Sequence, residues 1–242
     1  MTLTAKPLAP ETWPAFARLV EKHHGIFGGC WCIAFHLEPG EGKRGAAAYR
    51  AMKEARVREG RAHAALVFDG RTAIGWCQFG SPTELPNIRS KKAYEADPGP
   101  LPDWRITCFF IDRERRGEGV ASRALREALR FIAELGGGVV EGYPEDYSSE
   151  RTSSSFLCSG TLAMFEKAGF RRNRKIAMRR WVVVREVRAA PRRLPGHPPR
   201  TRSRTTRRAA RPPQPPRPRA PPRARGAPSP SGRRGRDAVG VG

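Results

Sequence analysis

Apolar residues recur along the first 188 positions in two rhythms, one suited to helices and one to strands. Thr2–Pro7 reads as a short first strand. From Glu11 to His23, the residues Trp13, Phe16, Leu19 and Val20 fall at helical spacing, with Pro14 tolerated in the first turn. His23 and His24 close that helix and are expected to act there as cations near its negative end. Gly25–Glu41 has no clear period. Lys43–Glu59, rich in alanine and charge, predicts a second helix stopped by Gly60. His63–Asp69 and Thr72–Phe79 read as strands joined at Asp69-Gly70, a hairpin signal. A long loop with a basic middle (Arg89, Lys91, Lys92) runs from Gly80 to Asp103. The apolar run Ile106–Ile111 predicts a strand. Val120, Ala124, Leu125, Ala128, Leu129, Ile132 and Leu135 then predict one helix face. Gly138–Tyr143 reads as a strand, Asp146–Ser155 as polar loop, and Ser159–Lys167 as a late helix with Gly169 as its left-handed cap. One or two closing strands occupy Arg171–Val187. The order β-α-α-β-β-β-α-β-α-β predicts an α/β fold of the α+β kind, a mixed sheet with helices on both faces.

The densest signal lies between Trp104 and Leu135, where strand, charged turn, two glycines and helix follow one another. A helix's first turn has unpaired N–H donors and a partial positive charge, and glycine keeps side chains out of an anion's way. A phosphate-bearing ligand is therefore expected here. A dinucleotide fingerprint would need a third glycine where Ser122 stands, and a P-loop would need a lysine that is absent. The residues that do match are R-x-x-G-x-A at Arg116, Gly119 and Ala121, within the run R-R-G-E-G-V-A. A second block, G-T-L-A-M-F-E-K-A-G-F at 160–170, follows about 40 residues after the glycine turn, with a strand between. In these two blocks and their spacing the chain resembles the GNAT (GCN5-related) N-acetyltransferase family over roughly residues 1–188.

The resemblance implies a GNAT-like acyl-CoA N-acyltransferase fold in which two central strands splay apart, here Arg105–Ile111 and Gly138–Tyr143. It implies acetyl-CoA as co-substrate. The diphosphate would be held by Arg116, Gly117, Glu118, Gly119, Val120, Ala121 and Ser122, and the pantetheine arm by strand backbone at Phe109, Phe110 and Ile111. The acceptor would be an amine of a small molecule or a protein, attacking directly in a ternary complex. Many family members place a tyrosine acid in the late helix, where this chain has Phe165, and an asparagine seven residues earlier, where it has Cys158. Candidate bases among carboxylates are Glu141 on the facing strand, Glu84 in the long loop and Asp103 before the cofactor strand, beside deprotonation by water alone. Tyr143, Tyr147, Ser159 and Cys158 are candidate acids.

Composition bears on the ends of the chain and on partners. From Ala189 onward Arg and Pro dominate, with no Ile, Phe, Tyr or Trp to build a core, so 189–242 reads as a disordered tail and 1–188 as the acetyltransferase domain. Of the net +23, the tail's 15 arginines and one aspartate carry +14, leaving +9 for residues 1–188. Three readings of the tail stay open: weak polyanion binding by counterion release, an inert extension, and a translated shifted frame of a GC-rich gene. Five cysteines and no signal peptide argue against a disulfide scaffold and for a reducing cytoplasm. No run is long enough for a membrane span. Cys30, Cys32 and His36 have spacing that suits pocket lining, with Trp31 and Phe35, better than zinc, so no metal is expected. The family often forms homodimers. The alternative reading is a non-catalytic acetyl-CoA-binding protein, or a polyanion binder using the basic tail.

Overall fold

The computed structural model describes residues 3–42, 44–147 and 157–191. Seven strands form one sheet in the order β1-β2-β3-β4-β5-β7-β6, with β1 Thr4–Pro7, β2 His63–Asp69, β3 Thr72–Gly80, β4 Trp104–Ile111, β5 Gly138–Gly142, β6 Arg171–Lys175 and β7 Trp181–Val187. All neighbours are antiparallel except β4 and β5. The helices are α1 Trp13–Lys22, α2 Ala46–Arg58, α3 Lys91–Ala96, α4 Val120–Glu134 and α5 Leu162–Lys167.

Successive strand residues face opposite sides, and the sequence loads each side with a different core. On one face Ala65, Val67, Ile74, Phe79, Ile106, Phe109 and Val140 meet α4 and α5. On the other, Leu66, Phe68, Trp76 and Phe110 meet α1 through Trp13, Phe16 and Val20. α4 buries Val120, Ala124, Leu125, Ala128, Leu129, Phe131 and Ile132, so the expected stripe holds for all but Leu135. Leu135 lies past the last helical residue and is 52% exposed. Phe131, which the spacing omitted, takes a buried place instead.

Two further differences have local causes. The Gly80–Asp103 segment contains α3, short enough that its single buried aromatic, Tyr94, leaves no periodic trace in the sequence. The late helix starts at Leu162 rather than Ser159, because residues 157–159 form a 3-10 turn and Thr161 caps α5 by accepting from the Met164 N–H. The closing segment makes two strands, β6 and β7. Beyond β7, the Ala190 N–H donates to Ala133 O at 2.7 Å. Of residues 189–242, expected to be a disordered tail, 189–191 are described and 192–242 lie outside the described residues, as does most of the Asp146–Ser155 loop. Among the described residues no helix is long and apolar enough to cross a membrane.

The parallel pair β4–β5 is short. Trp104, Arg105 and Ile106 pair with Val140, Glu141 and Gly142, and there the pairing ends. From Thr107 to Ile111, β4 keeps β3 on one side and has no partner strand on the other among the described residues. The start of the fork is tied tightly. Asp103 Oδ2 accepts the Val139 N–H at 2.7 Å, and Trp104 Nε1 donates to Gly137 O at 2.9 Å. Gly138 sits at φ +124° with the Asp103 carboxylate where a Cβ would be, so only glycine fits. Asp103, a candidate base, is thus engaged as a structural clasp.

Candidate functional site

The turn after β4 is anchored from both sides. Asp112 Oδ1 accepts the Glu114 N–H, and its Oδ2 accepts from Lys22 Nζ at 2.9 Å. Burial pushes the Asp112 carboxyl up, but the Lys22 and backbone hydrogen bonds outweigh it and hold it below the usual carboxylate value. His23 Nε2 lies 3.2 Å from Asp112 Oδ1, yet burial lowers the imidazole below its ordinary value. His23 is therefore a buried ring tilted against Phe110 rather than the helix-end cation expected from its position. Arg115 reaches Asp69 at 2.7 Å and Glu118 at 2.9 Å, tying the turn to the β2–β3 hairpin.

Gly117 and Gly119 then adopt φ of +82° and +76°. A Cβ at either position would meet nothing within 4 Å, so conformation, not crowding, demands glycine, and the space above the turn stays open. Gly119 is the N-cap of α4. The first-turn N–H groups of that 15-residue helix end at this open space.

A cavity of about 420 Å³ occupies the fork. Phe109, Phe110 and Ile111 of β4 form one wall. Arg116, Gly117, Gly119, Val120, Ala121 and Ser122 form its end, and Gly160, Thr161 and Met164 close the far side. Nine of the ten residues expected to touch a CoA line this one space. Glu118 does not; its carboxylate is turned to Arg115. The sequence reading missed Phe27, Arg115, Gly160, Thr161 and Met164. Gly160 is held to glycine by its surroundings: at φ +77°, a Cβ there would crowd Met164 Cε at 2.7 Å and Phe165 at 3.0 Å.

A second cavity of about 350 Å³ adjoins the first and shares Phe27 and Cys158 with it. Its walls come from the two irregular loops, through Cys30, Ala34 and Phe35 on one and Asn87, Ile88 and Arg89 on the other, with Cys108 at its floor. Phe35 lines it as expected. Trp31 does not; it is 4% exposed and stacks on Trp13 in the core. His24, Ile26, Phe27, Trp31 and Cys32 all have φ between 41° and 54°. Such left-handed backbone is rare for these residue types and persists only where the surroundings impose it. Ile26, Trp31 and Cys32 are buried in the core with Trp13 and Phe16, and a buried polar network lies farther along the same segment, at His36. Lys53, fully buried in α2, donates to His36 Nε2 and to Gln78 Oε1, both at 2.7 Å, and Gln78 Nε2 donates to Thr107 Oγ1 at 3.0 Å. His36 Nδ1 faces Glu84 O at 2.9 Å, which fixes the tautomer that leaves Nε2 as acceptor. Burial, with Lys53 and Arg56 nearby, lowers His36 well below its ordinary value.

The carboxylates proposed as bases lie elsewhere. Glu141, 3% exposed on β5, accepts from Tyr94 Oη and Tyr143 Oη, both at 2.9 Å. Burial and Glu141 raise both tyrosines above their ordinary value. Glu84 Oε2 lies 3.0 Å from His63 Nδ1. Glu141, Tyr143 and Glu84 line neither cavity. Phe165, where a proton donor is common in the family, is fully buried and stands edge-on to Phe109 and Phe170. Tyr147 bonds Glu145, and Ser159 is buried. The cysteines are all unpaired, and among the described residues no group of side chains is placed to hold a metal ion.

No family model matches the sequence, and no curated protein matches it significantly. Solved structures align with it at low identity. An N-acetyltransferase from Staphylococcus aureus is 14% identical over 78% of this chain and 99% of that one, with a TM-score of 0.43. A structure described as histone acetyltransferase HPA2 and related acetyltransferase from Corynebacterium glutamicum gives 13% identity over 79% and 99%, with a TM-score of 0.46. The PaiA N-acetyltransferase from Thermoplasma acidophilum, in complex with coenzyme A, gives 11% over 77% and 99%, with a TM-score of 0.41.

Proposed function

We propose that this protein is an acetyl-CoA-dependent N-acetyltransferase of the GNAT type. The observation that carries the reading is contiguity. One cavity joins the glycine turn, the positive end of α4 and the open edge of β4. The turn and the first N–H groups of α4 suit a diphosphate. The unpaired β4 edge suits an extended chain of amide units lying as a substitute strand, as in strand addition. Coenzyme A carries both a diphosphate and such an arm.

The second cavity meets the first at Phe27 and Cys158, and is the place for the acceptor. There the amine sheds one proton and its nitrogen bonds to the acetyl carbon. The C–S bond breaks, and the sulfur leaves as thiolate while the new amide loses a second proton. Water takes up the amine protons, because the described walls of both cavities carry no carboxylate or imidazole. Holding the two reactants together supplies much of the rate. A backbone N–H on the β4 edge is suited to the developing oxyanion. Phe165 removes one source of acid but leaves this route intact, since a thiolate departs without prior protonation. The free thiols fit a reducing compartment, and we assign the protein to the cytoplasm. Residues 1–188 form the transferase unit.

Isothermal calorimetry of the full chain with acetyl-CoA and CoA tests the cofactor half, and release of free thiol across a panel of amines tests the transfer. Heat without thiol release would favour a sensor; no heat on folded protein would end the assignment.

A further inference from the structure

The acceptor cavity has a chemistry of its own, and from it we infer the substrate class: a small amine on an apolar body that also bears a carboxylate, namely an apolar α-amino acid. The inference rests on the transferase reading above and deepens it.

Most of the wall is apolar. Phe27, Phe35, Ile88 and Ala34 face the space, together with the thiols of Cys30, Cys108 and Cys158. Burial raises the Cys30 and Cys158 thiols, and the hydrogen bond with Cys32, together with burial, raises Cys108, so all three are uncharged near neutrality. At about 350 Å³ the space matches a small molecule, at the lower end of ligand pockets. One charged group lines it, the Arg89 guanidinium. Among the described residues no carboxylate pairs with Arg89, whose field is felt instead at Cys158 and Arg180.

Asn87 beside it is held in place: its N–H donates to Phe35 O and its Nδ2 to Leu37 O, so the loop carrying Arg89 is locked to the loop carrying Phe35. A guanidinium presented on a fixed loop is a fork for a carboxylate. A second ammonium on the acceptor, as in a polyamine or a lysine-rich peptide, would meet this cation with no acidic partner on the described wall. The net charge of +9 over residues 1–188 also favours anions over cations. The free amine of the same substrate then points toward Phe27 and Cys158, where the two cavities meet.

The test compares leucine and phenylalanine with their amides and with a diamine, on the full chain, by thiol release, and measures acetyl-CoA binding separately by calorimetry. The inference expects kcat/KM about tenfold or more higher for the acids than for the amides. It expects Arg89→Gln to erase that gap through KM, leaving kcat and acetyl-CoA affinity unchanged. It further expects phenylalanine to bind the CoA-loaded wild type, seen by NMR line broadening, and not the Arg89→Gln variant. Amides or diamines turned over as well as the acids, or an acid preference that survives Arg89→Gln, would overturn the substrate class while leaving the transferase reading standing. Absent acetyl-CoA binding would overturn both.

Discussion

Lys53 Nζ donates to His36 Nε2 across 2.7 Å at a depth where neither residue reaches solvent. Burial, only partly offset by the nearby thiols of Cys32 and Cys108, pulls the ammonium down from its ordinary value to about 8. Between about 8 and the unfolded value, the unfolded chain binds more protons than the folded one, so stability rises with pH across that window and is penalised below it. The gain on crossing the window is on the order of 3 kcal/mol. Lys53→Met keeps the volume and removes the titration. We expect the wild-type unfolding free energy to climb from pH 8 to 10 relative to that of Lys53→Met, measured by urea melts at each pH. Parallel curves would refute this.

Gly119→Glu places a carboxylate where the diphosphate is expected, and its Cβ meets no neighbour within 4 Å. The left-handed φ of +76° costs the folded state about 1–2 kcal/mol, a loss a folded domain tolerates. Acetyl-CoA heat should vanish while the circular dichroism stays that of the wild type. Retained heat would refute the glycine turn as the diphosphate seat.

The Glu141 carboxylate accepts from two buried tyrosine hydroxyls. Tyr143→Phe deletes one of these and leaves the carboxylate short of a donor. We expect a stability loss of about 1–3 kcal/mol, with kcat within a few-fold of wild type. A fall in kcat of a hundredfold at unchanged stability would instead make this cluster part of the chemistry.

Asp112 anchors the glycine turn, and its depressed carboxyl makes its contribution to stability present above the usual carboxylate range and lost as pH falls through its folded value. Asp112→Asn should flatten the acid side of the stability–pH curve and weaken acetyl-CoA binding several-fold, because the turn loses Lys22 as a tether. An unchanged acid limb, followed by thermal shift from pH 6 to 3, would contradict this.

Much of this architecture is legible in the sequence. His63–Asp69 and the hairpin at Gly70 appear where the apolar run and the Asp-Gly signal placed them, and nine of the ten residues named between Phe109 and Ser122 line one cavity. These are local signals: a period, a pair of glycines, a strand followed by a helix. The bonding around Glu141 was not legible. Its partner Tyr94 sits on a six-residue helix in a loop, 47 positions away in sequence, and no spacing rule joins them. The burial of Lys53 was hidden for a related reason. A lysine in an alanine-rich, charged helix reads as surface, and only the long-range arrival of His36 and Gln78 makes its burial tolerable. Glu118 sits inside the motif, but its carboxylate is held by Arg115 and it does not line the cavity.

Three residue pairs at the base of the fork hold the sheet's two flanks together. Strands β1 to β4 form one leaf and β5 to β7 the other, and past Ile106 no strand pairing among the described residues stitches them. A molecule lying along the exposed rim of β4 would serve as a rung that the polypeptide itself omits. Occupancy and mechanical coherence of the two leaves then become one quantity, and slowed amide exchange along residues 107–111 would report both at once.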